Sequence, residues 1–351
     1  MLDITVIGAG PAGSAAAIRL AQSGHRVRLY EKSRFPRPKL CGGFLSPECL
    51  LDLDELGVLD PIKAAGASVV RRTVVSSPWG AYAEAPLPMP GLSLSRDVLD
   101  TLLLQRARET GVDVQEGTDG FNQVSNGGWT VVATGRKAET GRYFGVQAFF
   151  DHVEGITDQV ELDLIPGGYV GFVTQGGRVN LCALTTQENL RDTGPALDAV
   201  LAAWALKNPL LGKRLRNARR ASAWQAVGPV RMGLQRLTEP QRLFAGDAAC
   251  IVDPLMGEGI AMGLRTSALI EQAFQQTRCP VEEAYAHAWH EQFDTALRAG
   301  AWLRKLFQPA LIQDVCVAAL QAFPTLLTWL AEQTRPPIYE NLQPNSNRGA
   351  V

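Results

Sequence analysis

The first thirty-one residues alternate between apolar runs and polar breaks in the order strand, helix, strand. Ile4–Ile7 is a short apolar run of the kind that forms a buried strand. Ser14–Gln22 is rich in alanine and leucine and predicts a helix, which Gly24 ends as a C′ residue would. Arg26–Tyr30 alternates between polar and apolar positions and predicts a second strand. The pattern is typical of the first βαβ unit of an α/β fold.

The segment that joins the first strand to the helix is rich in glycine. It reads Gly8-Ala9-Gly10-Pro11-Ala12-Gly13, a GxGxxG pattern. In this pattern the first glycine permits a tight turn, the second lets the backbone approach a pyrophosphate, and the third lets the helix pack close to the strand. Glu31 lies 18 residues after Gly13, close to the roughly 20 expected for an acid that binds a ribose. The segment therefore predicts a dinucleotide site, and the charge of Glu31 disfavours a 2′-phosphate.

A second segment, far downstream, separates FAD from NAD. Leu243–Ala245 predicts a strand, and Gly246-Asp247 places a carboxylate at its carboxyl end, where open α/β sheets bind ligands. FAD has a ribityl chain with free hydroxyl groups. The carboxylate of Asp247 can accept hydrogen bonds from them. After Pro254, Gly257-Glu258-Gly259 opens a helix that runs to about Phe274. The N–H groups at its start would face the flavin pyrimidine and stabilise negative charge on the reduced ring.

Together these two segments resemble the FAD-binding motifs of the p-hydroxybenzoate hydroxylase-like flavoproteins, and three further segments resemble their geranylgeranyl reductase-like branch. Arg37-Pro-Lys39-Leu-Cys41-Gly42-Gly43 is similar to that branch's Arg-x-Lys-x-Cys-Gly-Gly loop. Leu94-Ser-Arg96-Asp97-Val-Leu-Asp100 is similar to its helix-opening Arg-x-x-x-Asp segment. Gly167–Phe172 with Gly176–Asn180 is similar to a hairpin of its substrate sheet. The resemblance covers most of residues 1–275 and implies non-covalently bound FAD.

Two departures bear on the substrate. The archaeal lipid-saturating members carry Tyr-x-Trp-x-Phe-Pro in the hairpin, where this chain has Tyr169-Val-Gly-Phe-Val-Thr174. The aromatic hydroxylases carry Asp-Gly where this chain has Ala133-Thr-Gly135. The first departure weakens the case for a geranylgeranyl lipid as substrate, and the second weakens the case for an NADPH-gated hydroxylase.

The predicted fold class is α/β with α+β insertions, in which a Rossmann-type FAD-binding domain is interleaved with a β-sheet substrate domain. Alternating strands are predicted at Ser68–Ser76, Tyr143–Phe150 and Val160–Ile165, and a hairpin at Tyr169–Thr174 and Arg178–Thr185. The predicted division is 1–64, 93–143 and 238–278 for the FAD-binding domain, 65–92 and 144–237 for the substrate domain, and 279–351 for a C-terminal helical region broken at Pro280, Pro309 and Pro324.

The predicted cofactor-binding set follows from these motifs: Gly8, Gly10, Pro11, Ala12, Gly13, Glu31, Lys32, Arg37, Lys39, Gly42, Arg96, Gly246, Asp247, Pro254, Gly257, Glu258, Gly259 and Ile260. Four roles have a plainer alternative. Arg37 and Lys39 neutralise phosphate or reduced flavin, or are solvated loop charges. Arg96 binds cofactor or forms an ion pair with Asp97 or Asp100. Glu258 binds cofactor or is only an acid at a helix N-terminus.

Cys41 is the candidate catalytic residue, because the resemblance implies a loop beside the flavin ring. The alternative is a small buried apolar side chain. His287 and His290 share a helix face without a Glu-x-x-His context, so no metal site is predicted. Helical spacing favours core packing for the aromatic residues of the C-terminal region, and exposed ones would mark a lipophilic substrate or a membrane surface.

The net charge and the cysteine content of the chain limit the binding partners and the cellular compartment that we expect. The net charge is −1, so the whole chain has no field that gathers nucleic acid or an anionic membrane. The six cysteines are scattered without a CxxC pair, which indicates reduced thiols and a cytoplasmic protein. Contact with a membrane surface is not predicted. The start of the chain lacks a basic region before its first apolar run, so no signal peptide is predicted.

The predicted function is an FAD-dependent oxidoreductase of reductase type that acts on an apolar unsaturated small molecule, isoprenoid- or polyketide-like. The alternative is a flavin monooxygenase of a lipophilic or aromatic molecule. A third hypothesis is an FAD-binding protein without turnover. No second nucleotide fingerprint follows in the sequence, so NAD(P)H is predicted as a transient electron donor, with a partner reductase as the alternative source of electrons.

Overall fold

Strands and helices alternate at the start of the chain, and strands dominate its middle. The computed structural model describes residues 1–124, 128–136, 141–192, 196–307 and 309–335. The strands are β1 (Asp3–Ile7), β2 (Arg26–Glu31), β3 (Phe44–Leu45), β4 (Ser68–Ser76), β5 (Tyr82–Ser93), β6 (Asp113–Glu116), β7 (Trp129–Val132), β8 (Tyr143–Asp151), β9 (Gln159–Ile165), β10 (Gly168–Gln175), β11 (Arg178–Thr186), β12 (Arg219–Arg220), β13 (Gln225–Val230), β14 (Gly233–Leu234), β15 (Thr238–Glu239), β16 (Arg242–Phe244) and β17 (Cys250–Ile251). The helices are α1 (Pro11–Gln22), α2 (Pro47–Glu55), α3 (Leu59–Ala64), α4 (Arg96–Glu109), α5 (Gln187–Asp192), α6 (Leu197–Lys207), α7 (Pro209–Leu215), α8 (Gly259–Gln275), α9 (Val281–Leu306), α10 (Ala310–Ala322) and α11 (Pro324–Gln333).

A six-stranded sheet carries the glycine-rich segment at its centre. Its order is β15-β16-β7-β1-β2-β6, and β1 lies parallel to both β2 and β7. Helices α1, α4 and α8 contribute to the apolar core of this layer, together with Val6, Leu29 and Val131 from the strands. Parallel strands covered by helices read as continuous apolar runs, which is why Ile4–Ile7 was recognisable in the sequence.

A larger, mainly antiparallel sheet of nine strands makes the second layer. Its order is β12-β8-β11-β10-β9-β4-β5-β3, and β13 also pairs with β8. The turn of the β10–β11 hairpin lies at Gly176 and Gly177, which have φ values of +56° and +82°. Such angles favour glycine, so the hairpin forms where the sequence predicts it. The α/β fold class with strand-rich insertions is confirmed, whereas the predicted domain boundaries stay a prediction.

Several elements were not predicted from the sequence. The short helices α2 and α3 follow the Cys41 loop, and α5, α6 and α7 follow the hairpin. The strand β5 carries prolines at 86, 88 and 90 and pairs with β4 on both sides of a register shift, at residues 82–86 and 91–93. These elements add to the second layer and to its contacts with the first.

Three helices close the described part of the chain. As predicted, α9 begins after Pro280, α10 begins after Pro309 and α11 begins at Pro324. Residues 336–351 of the predicted helical region lie outside the described residues. Among the described residues, no single helix is both apolar enough and long enough to cross a bilayer. The pair 312–322 and 324–333 meets that test of length and composition only together, and the two helices meet at 112°.

Candidate active site

The glycine-rich turn between β1 and α1 uses its three glycines in different ways. Gly8 has a φ of +100°, and a Cβ there would lie 2.4 Å from the carbonyl oxygen of Ala133. A Cβ on Gly13 would lie 1.9 Å from the carbonyl oxygen of Gly8, so the helix packs directly on the strand. A Cβ on Gly10 would meet nothing closer than Arg96 Nη2 at 3.7 Å. Gly8 and Gly13 are therefore required by the fold, whereas Gly10 leaves backbone open to an approaching group.

Glu31 is fixed at the end of β2 and is only 6% exposed. Its Oε2 accepts a hydrogen bond from the backbone N–H of Ala9, and its Oε1 accepts one from Ser33, both at 2.9 Å. Arg37 Nη2 lies 3.6 Å from the same carboxylate. Since each carboxylate oxygen can accept a second hydrogen bond, Glu31 can still accept ribose hydroxyls.

The downstream segment lies on the other side of the same turn. Strand β16 runs parallel to β7, and Gly246 at its end has a φ of +60°. A Cβ on Gly246 would lie 2.9 Å from Ala12 Cβ, and one on Gly263 would lie 3.4 Å from it. These small contacts bring the N-terminal ends of α1 and α8 together, with Asp247 beside them.

A cavity of about 960 Å³ connects these elements. Every residue of the predicted cofactor set lines it except Gly13 and Glu258, and Cys41 lines it too. The wall combines two helix N-termini, an open glycine backbone and carboxylates near both ends, which is the donor and acceptor set that an extended FAD needs. The residues present therefore fit FAD: the Gly8–Gly13 turn would hold the pyrophosphate, Glu31 the adenosine and Asp247 the ribityl chain.

Four cations surround the pyrophosphate region of the cavity: Arg37, Lys39, Arg96 and Arg136. Burial lowers the pKa of Lys39, and the charges of Arg136, Arg96 and Arg37 lower it further, while Asp247 opposes them. Arg96 donates two hydrogen bonds to Asp100, at 2.7 and 2.8 Å. The ion-pair alternative for Arg96 is thus present in the structure, while the same side chain still lines the cavity. A mutually repelling set of this kind favours an anion such as a diphosphate.

Arg136 was missed by sequence reasoning. It follows β7 in an irregular loop, and it reaches the cavity because β7 lies next to β1. The only local signal was its place just after Ala133-Thr134-Gly135, a segment already compared with a hydroxylase motif.

Glu258 lies behind the cavity and not on it. It is fully buried, accepts a hydrogen bond from Ser46 Oγ at 3.1 Å, and lies 3.8 Å from Arg335 Nε. Arg335 also binds Glu48 at 3.2 Å. Burial and, to a smaller extent, the charge of Glu48 raise the pKa of Glu258 to about 8, although Arg335 opposes both. This cluster joins α2, the start of α8 and the end of α11.

The aromatic residues of the C-terminal helices divide into three groups. Trp289 and Phe293 are buried in the core, as helical spacing predicts. Phe307 lines the cavity. Trp302, Phe323 and Trp329 are at least half exposed, so core packing is the wrong expectation for them.

Comparison with known proteins agrees with this site. Residues 1–150 match the family described as FAD binding domain. The chain is 28% identical to menaquinone reductase of Mycolicibacterium smegmatis over 320 residues, 76% of this chain and 75% of that protein. It is 26% identical to digeranylgeranylglycerophospholipid reductase 2 of Methanopyrus kandleri over 350 residues, 87% of this chain and 86% of that protein.

Solved structures share the fold at low sequence identity. A triple mutant of the flavin-dependent brominase Bmp2 aligns with a TM-score of 0.78 and 18% identity, over 95% of this chain and 94% of that one. The probable FAD-dependent monooxygenase pqsL of Pseudomonas aeruginosa aligns with a TM-score of 0.69 and 17% identity, over 90% of this chain and 99% of that one.

The fold and the site thus define an FAD-dependent oxidoreductase of the p-hydroxybenzoate hydroxylase fold. Within that group, the resemblance to the geranylgeranyl reductase-like branch that the motifs predicted is confirmed, because three digeranylgeranylglycerophospholipid reductases are 23–27% identical to this chain.

Proposed function

We propose that the protein is a flavin-dependent reductase that saturates a carbon–carbon double bond in an apolar, isoprenoid- or polyketide-like molecule. The observation that carries this proposal is the form of the cavity. From the glycine turns it continues between the nine-stranded sheet and the C-terminal helices, where its wall is apolar and includes Leu162, Leu164, Phe172, Phe307, Leu327 and Leu330. An apolar chain placed there would lie next to the flavin and away from water.

The same helices would exclude solvent from the reaction. Leu320, Leu327 and Leu330 come from α10 and α11, whose ends are tied to the FAD-binding layer through Arg335. FAD bound there would, once reduced by the electron donor, supply a hydride, and saturation of a double bond also needs a proton. A closed site of this kind keeps both from being lost to water.

Three side chains on the cavity wall are candidates for supplying the proton: Cys41, Cys182 and Tyr169. Burial raises the pKa of Tyr169 and raises that of Cys182 to about 12, so both keep their protons at neutral pH. We assign Cys41 first, because it lies in the loop that the glycine turns face. Its backbone N–H is held by Gln147 at 3.0 Å.

The two relatives support the substrate class, because one is named as a reductase of menaquinone and the other as a reductase of a digeranylgeranylglycerophospholipid. We further propose that NAD(P)H binds transiently as the electron donor and that the protein works in the cytoplasm. In support of a reducing compartment, all six cysteines are unpaired.

The alternative is a monooxygenase acting on a lipophilic molecule. The observation that favours it is the shared fold with pqsL. The loss of the hydroxylase Asp-Gly pair at Ala133-Thr134-Gly135 counts against it.

One experiment separates the two. The protein is loaded with FAD, reduced without oxygen, and mixed with menaquinone or with a lipid that carries geranylgeranyl chains. Rapid return of the oxidised flavin spectrum supports the reductase if the product is two mass units heavier per double bond and, for menaquinone, keeps that mass after any quinol has been reoxidised to the quinone. If neither lipid reoxidises the flavin, but O₂ does so through a long-lived near-ultraviolet absorbance and an oxygenated product forms, the monooxygenase is correct.

A further inference from the structure

Three carboxamide side chains from the nine-stranded sheet hold the loop that contains Cys41. Gln147 on β8 accepts the backbone N–H of Cys41 at 3.0 Å. Asn180 on β11 donates to the carbonyl oxygens of Cys41 and Gly42, at 2.9 and 2.8 Å. Gln175 on β10 donates to the Gly42 carbonyl at 3.2 Å. The loop has no regular secondary structure, so these side chains take the place of a hydrogen-bond ladder.

The network has one consistent orientation. Because Gln147 Oε1 accepts from Cys41, its Nε2 points to Asn180 Oδ1, to which it donates at 2.9 Å. Asn180 Nδ2 is then directed at the two loop carbonyls. Gln147 and Asn180 are 5% and 1% exposed, so a broken hydrogen bond here would leave a buried polar group without a partner.

The strands that hold the loop also line the cavity. Gly145 and Gln147 are two residues apart on β8, and Asn180 and Cys182 are two residues apart on β11, so each pair shares a face. Asn180, Gly145 and Cys182 all line the cavity. The sheet that would contact the substrate is therefore the sheet that sets the position of the Cys41 loop.

We propose that Asn180 is a positioning residue for Cys41, with Gln147 orienting the Asn180 amide. In this arrangement the loop backbone is clamped at both Cys41 and Gly42, so that the Cys41 thiol keeps a fixed place on the cavity wall. The consequence for turnover rests on the proposed role of Cys41, but the clamp itself does not.

The test measures the thiol directly. Asn180→Asp keeps the size of the side chain but sets a carboxylate oxygen against two carbonyl oxygens, so we expect the loop to move. Alkylation of Cys41 by iodoacetamide, followed by peptide mass spectrometry, should change in rate at least fivefold in the FAD-free protein. Gln147→Glu keeps the acceptor for Cys41 and removes only the donor to Asn180. It should shift the rate in the same direction by a smaller factor, and it is the variant to use if Asn180→Asp does not fold.

Asn208→Asp is the matched control. Asn208 is fully buried, its Nδ2 donates to Ser76 Oγ and the Leu164 carbonyl, and it does not line the cavity. It should lower the melting temperature and leave Cys41 alkylation at the wild-type rate. Equal Cys41 alkylation in Asn180→Asp and wild type would overturn the proposal, and so would an equal change in Asn208→Asp.

A double-mutant cycle separates this proposal from the role of Cys41. If Asn180 acts through the thiol, Asn180→Asp lowers kcat in the wild-type background and has no further effect in Cys41→Ala. If Cys41→Ala keeps full turnover, the proposed role of Cys41 fails, while the alkylation rates still decide whether Asn180 positions the loop.

Discussion

Glu31 and Ala9, 22 residues apart in the chain, are joined by a 2.9 Å hydrogen bond from the Ala9 amide to the Glu31 carboxylate. The bond ties the acid at the end of β2 to the glycine turn after β1. The adenosine end of the proposed FAD site is thus held together by the chain's own contacts, between two elements that are distant in the sequence.

Replacing Gly10 by valine should abolish FAD binding and leave the fold intact. Gly10 has extended backbone angles, φ −71° and ψ 179°, which valine adopts, and its Cβ position is open. The added methyl groups would occupy the place of the pyrophosphate. The ratio of flavin to protein after reconstitution measures the effect, and circular dichroism checks the fold.

Gly13→Ala is the contrasting variant. Its Cβ would lie 1.9 Å from the Gly8 carbonyl oxygen, so α1 must move away from β1. Overpacking of this kind costs about 1–3 kcal/mol. We expect a lower melting temperature, and a Gly10→Val protein destabilised as much as Gly13→Ala would contradict the assignment of Gly10 to the cofactor.

Asp247→Ala should weaken FAD binding by about 1–3 kcal/mol, the range for a lost hydrogen bond to a buried charged group. That corresponds to a roughly five- to 150-fold rise in Kd. Fluorescence titration of the FAD-free protein measures it. Asp60→Ala, an exposed acid on α3, is the control and should leave Kd unchanged. An unchanged Kd for Asp247→Ala would remove this residue from the site.

Cys41→Ala should keep the flavin and lower turnover or change the product profile. The loop backbone remains bound to Gln147 and Asn180, so the cavity should keep its shape. Steady-state rates and product masses are compared with those of Cys279→Ala, which removes an exposed thiol. If both variants turn over like the wild type and give the same products, Cys41 is only a small buried side chain.

Glu258 should make the protein less stable as pH rises. Its folded-state pKa of about 8 lies above its ordinary value of 4.5, so between these pH values the folded chain holds a proton that the unfolded chain releases. The stabilisation is complete below about pH 4.5 and is lost as pH rises to about 8, at up to about 1.4 kcal/mol per pH unit.

Urea unfolding at pH 5, 6, 7 and 8 tests this linkage. Glu258→Gln should show a smaller loss of the free energy of unfolding with pH than the wild type. Glu283→Gln, at an exposed position of α9, should follow the wild type. Parallel profiles for Glu258→Gln and wild type would mean that Glu258 is ionised in the folded protein.

The elements that bind the proposed cofactor were predictable because their constraints are local. A tight turn needs Gly8, close packing needs Gly13, and the buried strand before them needs an apolar run. Strand β5 was not predictable in this way, since prolines weaken a strand assignment. Pro86 is paired with Arg72 of β4, whereas residues 87–90, which include the other two prolines, lie at a register shift and have no paired residue on β4.

Side chains whose role depends on distant partners could not be assigned. Glu258 stands between two glycines of the motif, and nothing local shows that it lies beside Arg335 from the other end of the chain. Arg136 joins Lys39 only because β7 lies next to β1. The clamp on Cys41 likewise needs three strands whose pairing the sequence does not state.

The central sheet also has a consequence for biosynthesis. Strand β16 and helix α8 are made after the whole β8–β13 region, yet β16 pairs with β7 and α8 packs on α1. A nascent chain that has just emerged with β1, β2 and β7 still lacks one wall of the cofactor cleft. Flavin uptake is therefore a late event in translation, and a fragment that stops before residue 242 should emerge from the ribosome without it.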